Sequence, residues 1–493
     1  MKTKKKSFLL IAFVATVVSL YAQDDRPTFD DYLKSKQQGF NQYQQQKEDD
    51  FNTFRQQANA QFAAKMAEAW KQFGIEPPVE APVEPDPVMP MVRDKEPLLP
   101  TMPIKPGGTI VTVPSTPEIL KPRPKPTLPE QPKPNESWFS FNFFNTPCKV
   151  RMDNSLKFKL TSIDEKSVSA VWQQLSGEAS NALVADCFRI IDEMQLCDWA
   201  AISLFKTIGD AWLGKDSNEA ALMQMYLLTQ TGFKARIGRI GSNLIVLMPF
   251  DADLYGKSYY NRGGEAYYIV TGENEENSCL IYEEAFPNEK RASVTPLMPK
   301  LAERFVGAKT FKSERYPEMS VQVAVNRNVM DFMDSYPHCR HDNYVYMGLS
   351  ESTKEAVYPV MRKAIEGKPL NVAADMLLNF MHTAFNYQSD IQQFGRERSF
   401  FGDESFWFPY NDCEDRAILY SILVRDLLGV DVVLLEYPGH MSTAIALPME
   451  VRGSYLMVEG KRYLLCDPTY IGSHIGEVPE KYQSVNPKVL IIK

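Results

Sequence analysis

Three residues that could form a hydrolytic triad occur at equal intervals near the end of the chain. Cys413, His440 and Asp467 follow one another with 27 residues from each to the next (440 − 413 and 467 − 440). A cysteine is a useful nucleophile only as a thiolate, and a histidine can accept the thiol proton. A carboxylate can hold the imidazole in the required tautomer. This order therefore predicts acyl transfer through a covalent intermediate on Cys413.

The residues around Cys413 predict that it lies in the first turn of a helix. Asp412 is a favourable N-cap, and Asp415 could complete a capping box. Apolar residues then recur at helical spacing as far as Gly429, which is typical of a helix C-terminus. Free backbone N–H groups and the helix dipole favour a thiolate there, while the neighbouring carboxylates oppose it. We therefore expect the imidazole of His440 to activate the thiol.

Three strands are predicted after this helix, at 430–437, 441–447 and 463–466. His440 would stand at the start of the second strand and Asp467 at the end of the third. Those two residues meet only if the second and third strands pair directly. Residues 448–461, which contain a further strand-like segment, must then form an excursion.

The ordered motifs resemble the transglutaminase-like branch of the papain-like fold. They are the run DCEDRA at 412–417, the pair Gly439-His440 and the run CDPT at 466–469. The similar segment covers about 375–470, and it departs from the family in having Met441-Ser442 where an aromatic residue usually follows the histidine. The resemblance implies an α+β fold in which helices pack on an antiparallel sheet.

The same resemblance implies a role for each residue. Cys413 would attack a peptide or glutamine-type amide carbonyl in a protein or peptide substrate, His440 would act as base and then acid, and Asp467 would orient it. The oxyanion would be bound by the Cys413 backbone N–H and by a second donor, for which Trp407 and Tyr410 are candidates by position. Transfer of the acyl group to water is expected, with transfer to an amine, as in protein crosslinking, as the alternative.

The same residues are compatible with other interpretations. Cys413 could be a buried structural thiol or half of a disulfide with Cys466. The protein could also be a non-enzymatic envelope adaptor or scaffold. No metal or other cofactor is expected, because the cluster His338, Cys339 and His341 lacks an evident fourth ligand.

The N-terminus predicts an exported protein, periplasmic or at the cell surface. Residues 1–22 combine four lysines with a short apolar run, which is typical of a secretory signal, either cleaved after Ala22 or kept as an uncleaved anchor. Seven cysteines are compatible with one free thiol and up to three bridges, or with seven free thiols. A net charge of −8 argues against nucleic acid as a partner.

Residues 23–74 and 75–137 differ sharply in composition. In the first, Phe29, Phe40, Phe51, Phe62 and Phe73 recur every eleven residues. This period, about 3.67 residues per turn, predicts an aromatic stripe along a helix of about 75 Å. The stripe would serve a homo-oligomeric coiled coil or an envelope contact, or it would pack against the rest of the molecule. The second segment holds eighteen prolines and predicts an extended linker.

The remaining chain contains an internal repeat. Residues 138–289 are predicted to be a degenerate copy of the catalytic domain at 346–493, with a strand-rich connection at 290–345 that includes a strand at 344–347. In the first copy the alignment sets Asn218, Asn243 and Thr271 opposite the triad, so this copy lacks all three catalytic groups. The second copy carries an extra segment, 389–408, that either covers the substrate or is a well-packed connection.

Overall fold

The computed structural model describes residues 29–81, 90–93, 110–112, 131–272 and 278–492. The predicted signal peptide at 1–22 and much of the proline-rich segment lie outside these ranges. Among the described residues, none of the helices combines the length and the apolar character that a membrane crossing needs.

The fold combines helices with largely antiparallel sheets, as the predicted α+β class requires. The helices are α1 (Phe29–Met66), α2 (Glu165–Leu175), α3 (Asn181–Glu193), α4 (Asp198–Leu213), α5 (Asn218–Gln230), α6 (Arg327–Asp334), α7 (Asp342–Met347), α8 (Glu351–Ile365), α9 (Leu370–Ala384), α10 (Asp390–Phe394), α11 (Glu404–Trp407) and α12 (Cys413–Leu428). The strands are β1 (Lys71–Gly74), β2 (Ile110–Thr112), β3 (Glu136–Phe143), β4 (Thr146–Asp153), β5 (Arg236–Ile240), β6 (Asn243–Pro249), β7 (Tyr259–Arg262), β8 (Glu265–Thr271), β9 (Ser278–Ile281), β10 (Phe305–Lys312), β11 (Ser320–Asn326), β12 (Asp431–Tyr437), β13 (His440–Ala446), β14 (Tyr455–Val458), β15 (Lys461–Cys466) and β16 (Lys488–Ile491).

Two six-stranded sheets have the same order of strands. The first runs β1-β9-β5-β6-β8-β7, and the second runs β2-β16-β12-β13-β15-β14. In each sheet a buried helix, α5 or α12, precedes the central hairpin, and a strand from the N-terminal segments closes one edge. The edge strand β1 is antiparallel to β9, whereas β2 is parallel to β16.

The aromatic-striped helix is shorter than predicted. It ends at Met66, and Phe73 lies instead in β1, where it pairs with Cys279 of β9. The prediction of a helix as far as residue 74 was therefore wrong at its end. The open edge of the sheet offers the backbone of 71–74 hydrogen bonds to β9 on one side, and this pairing overrides the continuing aromatic period.

The C-terminal half of α1 packs into the first globular unit. Phe62 is 3% exposed and contacts the rings of Trp172, Tyr282 and Phe286. The Asn59 side chain accepts a hydrogen bond from the Trp172 indole at 2.9 Å. This half of the stripe therefore packs against the rest of the molecule, which was one of the two predicted uses.

The N-terminal half of α1 has a different environment. Phe40, Tyr43 and Phe54 are between 45% and 60% exposed. Whether these rings meet a second copy or another surface remains a prediction.

The described parts of the proline-rich segment lie along the globular units. Glu76 and Val79 form single bridges with Tyr259 and Tyr255 of the first unit, whereas Val92 bridges to Ile471 of the second. The strand β2 adds to the second sheet. These described parts therefore contact both units, and most of the predicted extended linker at 75–137 lies outside the described residues.

The connection at 290–345 differs from its prediction in one element. The hairpin β10–β11 is present, but residues 344–347 belong to α7 rather than to a strand. Tyr344 is 4% exposed and stacks on Phe401 with ring centroids 4.5 Å apart. A short apolar run cannot distinguish a buried strand from a buried helical turn, and tertiary packing decided the outcome.

Candidate active site

Cys413 is the first residue of α12, as the sequence predicts. The carboxylate of Asp415 accepts a hydrogen bond from the Asp412 backbone N–H at 3.3 Å, which forms part of a capping box. The helix ends at Gly429, whose positive φ of 65° closes the last turn. The Cys413 side chain is 2% exposed, and its thiol donates to Oε2 of Glu414 at 3.2 Å.

His440 and Asp467 form a buried pair. The imidazole Nε2 lies 2.8 Å from Oδ2 of Asp467, and His440 is fully buried. Burial acts to raise the pKa of Asp467, but the adjacent His440 and the backbone N–H of Thr469 outweigh it and lower that pKa. The carboxylate is therefore ionised and accepts the Nε2 proton, so the tautomer leaves Nδ1 as a base. Nδ1 is buried and has no hydrogen-bond partner among the described residues.

The topology places all three residues at the same end of one helix–sheet unit. The helix α12 packs against β12 and β13, and β12 runs back from the end of the helix toward its start. A two-residue turn with Gly439 at φ 73° then brings the chain to His440, which pairs with Tyr437.

The strand that leads to Asp467 pairs as the triad requires. In β15, Cys466 pairs directly with Thr443 of β13, and β14 lies on the outer side of β15. Because β15 is antiparallel to β13, Asp467 emerges beside the start of β13. The predicted excursion at 448–461 is therefore confirmed, and it is this register that lets the carboxylate reach His440.

Two groups from distant parts of the chain complete the surroundings of the pair. His382 is 4% exposed and bonds the backbone carbonyl of Asp467 through Nε2 at 3.0 Å. Tyr482 stacks on the His440 ring from the C-terminal segment. Neither contact has a local sequence signal, because each joins residues far apart in the chain.

Buried carboxyl groups surround the start of α12. Single oxygens of Asp390, Asp412 and Glu414 lie within 4.8 Å of one another, so these residues could hold a metal ion. Burial, with Asp412 nearby, raises the pKa of Asp390 to about 9. Burial also raises the pKa values of Asp412 and Asp415, with the adjacent carboxylates adding to the shift. Carboxyl groups packed this closely are stabilised either by shared protons or by a bound cation.

The two candidate oxyanion donors occupy different positions. The ring of Trp407 lies against Gly307 and beneath the cations of Lys309 in β10 and Arg327 at the start of α6. Tyr410 bridges to Asn386 just before the helix. That Trp407 or Tyr410 donates the second hydrogen bond to the oxyanion remains a prediction.

Tyr387 is a further aromatic residue in this environment. Burial raises its pKa, and the closeness of Cys413, Asp412 and Glu414 adds to the effect. No local sequence signal marks Tyr387, because its approach to the start of α12 is a tertiary contact.

The extra segment at 389–408 is a well-packed connection. Phe400, Phe401 and Phe406 are at most 1% exposed, and the Phe400 N–H donates to Asp415 at 2.8 Å. The guanidinium of Arg398 bonds Asp334 and Glu404. The segment is therefore bonded to the start of α12. A role for it in substrate selection remains a prediction.

The other cysteines and histidines make separate contacts. None of the seven cysteines, all of which lie among the described residues, forms a disulfide, so the bridges that the cysteine count allowed, including one between Cys413 and Cys466, are not observed. His341 bonds Glu436 at 3.0 Å rather than joining a metal cluster with its neighbours. His474 pairs with Asp375 at 2.8 Å and is 44% exposed.

The first sheet places asparagines where the second has its thiol and imidazole. Asn218 opens α5 as Cys413 opens α12, and Asn243 opens β6 as His440 opens β13. Asn218 accepts from the Leu244 N–H at 2.7 Å and donates to the Ser242 carbonyl at 3.0 Å. This side chain therefore joins the start of the helix to the start of the strand.

The strand register identifies the position equivalent to Asp467. Val246 pairs with Thr271 in the first sheet as Thr443 pairs with Cys466 in the second. The residue of the first sheet that is equivalent to Asp467 is therefore Gly272, one position after the predicted Thr271. A carboxylate is absent from either position.

Comparison of the chain with models of known protein families, with curated proteins and with solved structures gives no match.

Proposed function

We propose that the chain is an exported cysteine hydrolase of the transglutaminase-like type that acts on peptide or glutamine-type amide bonds. The observation that carries the proposal is the His440–Asp467 pair, which leaves Nδ1 without a partner at the end of the unit where Cys413 begins its helix. A base with one nitrogen fixed by a carboxylate and the other available is the arrangement that nucleophilic catalysis needs.

The proposed reaction begins when the Cys413 thiol turns from Glu414 toward Nδ1 of His440. The imidazole takes the thiol proton, and the sulfur attacks the carbonyl carbon of the substrate. The backbone N–H of Cys413 and one further donor stabilise the oxyanion. The imidazolium then gives its proton to the leaving amine, and water, activated by the same imidazole, hydrolyses the thioester.

We further propose that the two sheets belong to tandem copies of one fold and that the first copy is degenerate. The shared strand order and the equivalent starts of α5 and α12 support this duplication. With Asn218, Asn243 and Gly272 at the three positions, the first copy has no nucleophile of thiolate strength and no base near neutral pH. Its role would be to support the catalytic copy.

Incubation with mixed peptides and a labelled amine tests for acyl transfer and shows whether water or the amine accepts the acyl group. Mass spectrometry would detect cleavage or deamidation if the acyl group goes to water, and incorporation of the label if it goes to the amine. Hydrolysis is the expected result, and incorporation would favour the crosslinking alternative. Absence of all three products would contradict the proposal.

A thiol-directed probe tests the residues. We expect labelling at Cys413 that is lost in Cys413→Ala and strongly reduced in His440→Ala. Cys148, a partly buried thiol in the first unit, supplies the matched control, since Cys148→Ala should leave the labelling of Cys413 unchanged. Labelling of Cys413 that does not depend on His440 would contradict the triad.

A non-enzymatic adaptor is the second candidate, and one observation favours it. Phe40, Tyr43 and Phe54 are exposed on α1, as an attachment surface would require. Replacing the three rings by serine should then abolish self-association or envelope binding, measured by light scattering and by co-sedimentation with membranes. Unchanged behaviour in both measurements would remove this candidate.

A further inference from the structure

The C-terminal segment folds over the strands that carry the His–Asp pair. A single helical turn, Glu480–Tyr482, brings Tyr482 onto the sheet, where it is 5% exposed. Val478 and Tyr482 pack there with Val433, Leu435 and Tyr437 in a small hydrophobic cluster separate from the main core. This packing fixes the position of the Tyr482 ring independently of the histidine.

The ring of Tyr482 lies flat on the imidazole of His440. Their centroids are 4.8 Å apart and their planes differ by 8°. Tyr437 supports the stack, with its own centroid 4.8 Å from that of Tyr482 and 6.4 Å from that of His440. A parallel stack at this distance limits rotation of the imidazole about its χ2 angle, which is otherwise broad.

We propose that Tyr482 is a positioning residue for His440, which it holds face-on while Asp467 holds it edge-on. The two contacts are complementary, because a hydrogen bond at Nε2 fixes one atom of the ring and a stack fixes the plane. Neither contact uses Nδ1, which stays directed for proton transfer. The inference rests on the proposed function of His440 as a base.

The stack also favours the charged form of the base. During the reaction His440 becomes an imidazolium, and the face of an aromatic ring attracts a cation. Asp467 bonds the edge of the imidazole, and the rings of Tyr437 and Tyr482 stack with it. Lys481 lies over the Tyr482 ring at 4.5 Å, and His382 bonds the Asp467 carbonyl. An aliphatic side chain at 482 would keep the packing but lose this attraction.

The kinetic test compares variants by the rate at which iodoacetamide alkylates Cys413 in the full chain, with mass spectrometry as the readout. Tyr482→Leu and Tyr482→Met should each slow alkylation at neutral pH by about tenfold, since both lose the aromatic face. Tyr482→Phe should restore the wild-type rate. Tyr463→Leu is the matched control, because Tyr463 is a buried tyrosine of the same cluster. Rates in the two aliphatic variants equal to that of Tyr463→Leu would overturn the proposal.

A second measurement separates failure of this inference from failure of the proposed function. The chain has only five histidines, so NMR spectra of protein with labelled histidine can be assigned with His440→Gln. In the wild type, the ring current of Tyr482 should move the His440 ring protons upfield, and Tyr482→Leu should abolish that displacement. This result would support the stack even in a protein without hydrolytic activity. Ring protons at ordinary shifts in an active wild type would overturn the inference and leave the triad intact.

Discussion

The imidazole Nε2 of His440 and the Oδ2 of Asp467 are 2.8 Å apart in a fully buried pair. The contact decides which ring nitrogen carries the proton and which is available as a base. It depends on the register between β13 and β15, in which Thr443 lies opposite Cys466.

Replacing the carboxylate of Asp467 tests whether the tautomer it imposes on His440, and not only the hydrogen bond to Nε2, is needed for hydrolysis. Asp467→Asn can keep a hydrogen bond to Nε2 but favours the wrong tautomer, so peptide hydrolysis should fall by about 10³–10⁴-fold. The measurement is the hydrolysis rate on a peptide that the wild type cleaves. Asp375→Asn is the matched control, because Asp375 forms a similar pair with His474, a histidine outside the proposed triad. A loss of equal size in the two variants would contradict the assignment of Asp467.

The carboxylate of Glu414 should make the Cys413 thiol harder to ionise. The thiol donates to this side chain at 3.2 Å, and a negative charge so close disfavours a thiolate. Glu414→Gln should therefore move the pH midpoint of iodoacetamide alkylation at Cys413 downward by about one unit. Glu351→Gln serves as the control, because that side chain is 84% exposed. An unchanged midpoint in Glu414→Gln would show that the carboxylate does not restrain the thiol.

The free energy of unfolding should decrease as the pH rises, because of Asp390. Burial and the neighbouring Asp412 raise the pKa of Asp390 to about 9, whereas an unfolded chain has a value of about 3.9. Between these values the folded protein holds a proton that the unfolded chain releases, so the free energy of unfolding falls as pH rises through this window.

Asp390→Asn should remove this dependence. The variant is expected to exceed the wild type in unfolding free energy at pH 8 by at least about 1.4 kcal/mol, the value of one pKa unit, and to match it near pH 4. Urea denaturation at the two pH values provides the measurement. Asp431→Asn, at a side chain 58% exposed, should show no such difference. A wild type whose stability rises from pH 5 to pH 8 more than that of Asp390→Asn would contradict the prediction.

The two ends of α1 should respond differently to loss of an aromatic ring. Phe62→Ala should reduce the free energy of unfolding by about 3–5 kcal/mol, because Phe62 is 3% exposed among three other rings. Phe40→Ala, at a side chain 55% exposed, should change it by no more than about 0.5 kcal/mol. Equal effects in urea denaturation would indicate that Phe62 does not pack as described.

Local sequence signals were sufficient for the elements around the candidate site. Asp412, Asp415 and Gly429 marked both ends of α12, and the observed helix matches them. The predicted strands at 430–437 and 441–447 agree with β12 and β13 to within one residue at each end. These elements were predictable because caps, turns and apolar periodicity act over a few residues.

The same signals failed where tertiary contacts compete with local preference. Phe73 continues the eleven-residue period of α1, yet it lies in β1 because the edge of the first sheet accepts it. Residues 344–347 are compatible with a strand, yet they form a helical turn packed on Phe401. In both places the local preference was weak, and tertiary contacts decided the structure: backbone pairing with β9 for β1, and burial of Tyr344 for the helical turn.

By itself the sequence determined the order and type of the candidate catalytic residues and the element on which each stands. It also determined that the first unit has asparagine where the second has Cys413 and His440. Only the tertiary structure decided that β15 pairs directly with β13. It also decided that Glu414 accepts a hydrogen bond from the Cys413 thiol and that the Tyr482 ring stacks on the imidazole of His440. The reason is physical: caps and strand periods are encoded within a few residues, whereas strand order and ring stacking depend on which distant surfaces pack together to bury apolar area.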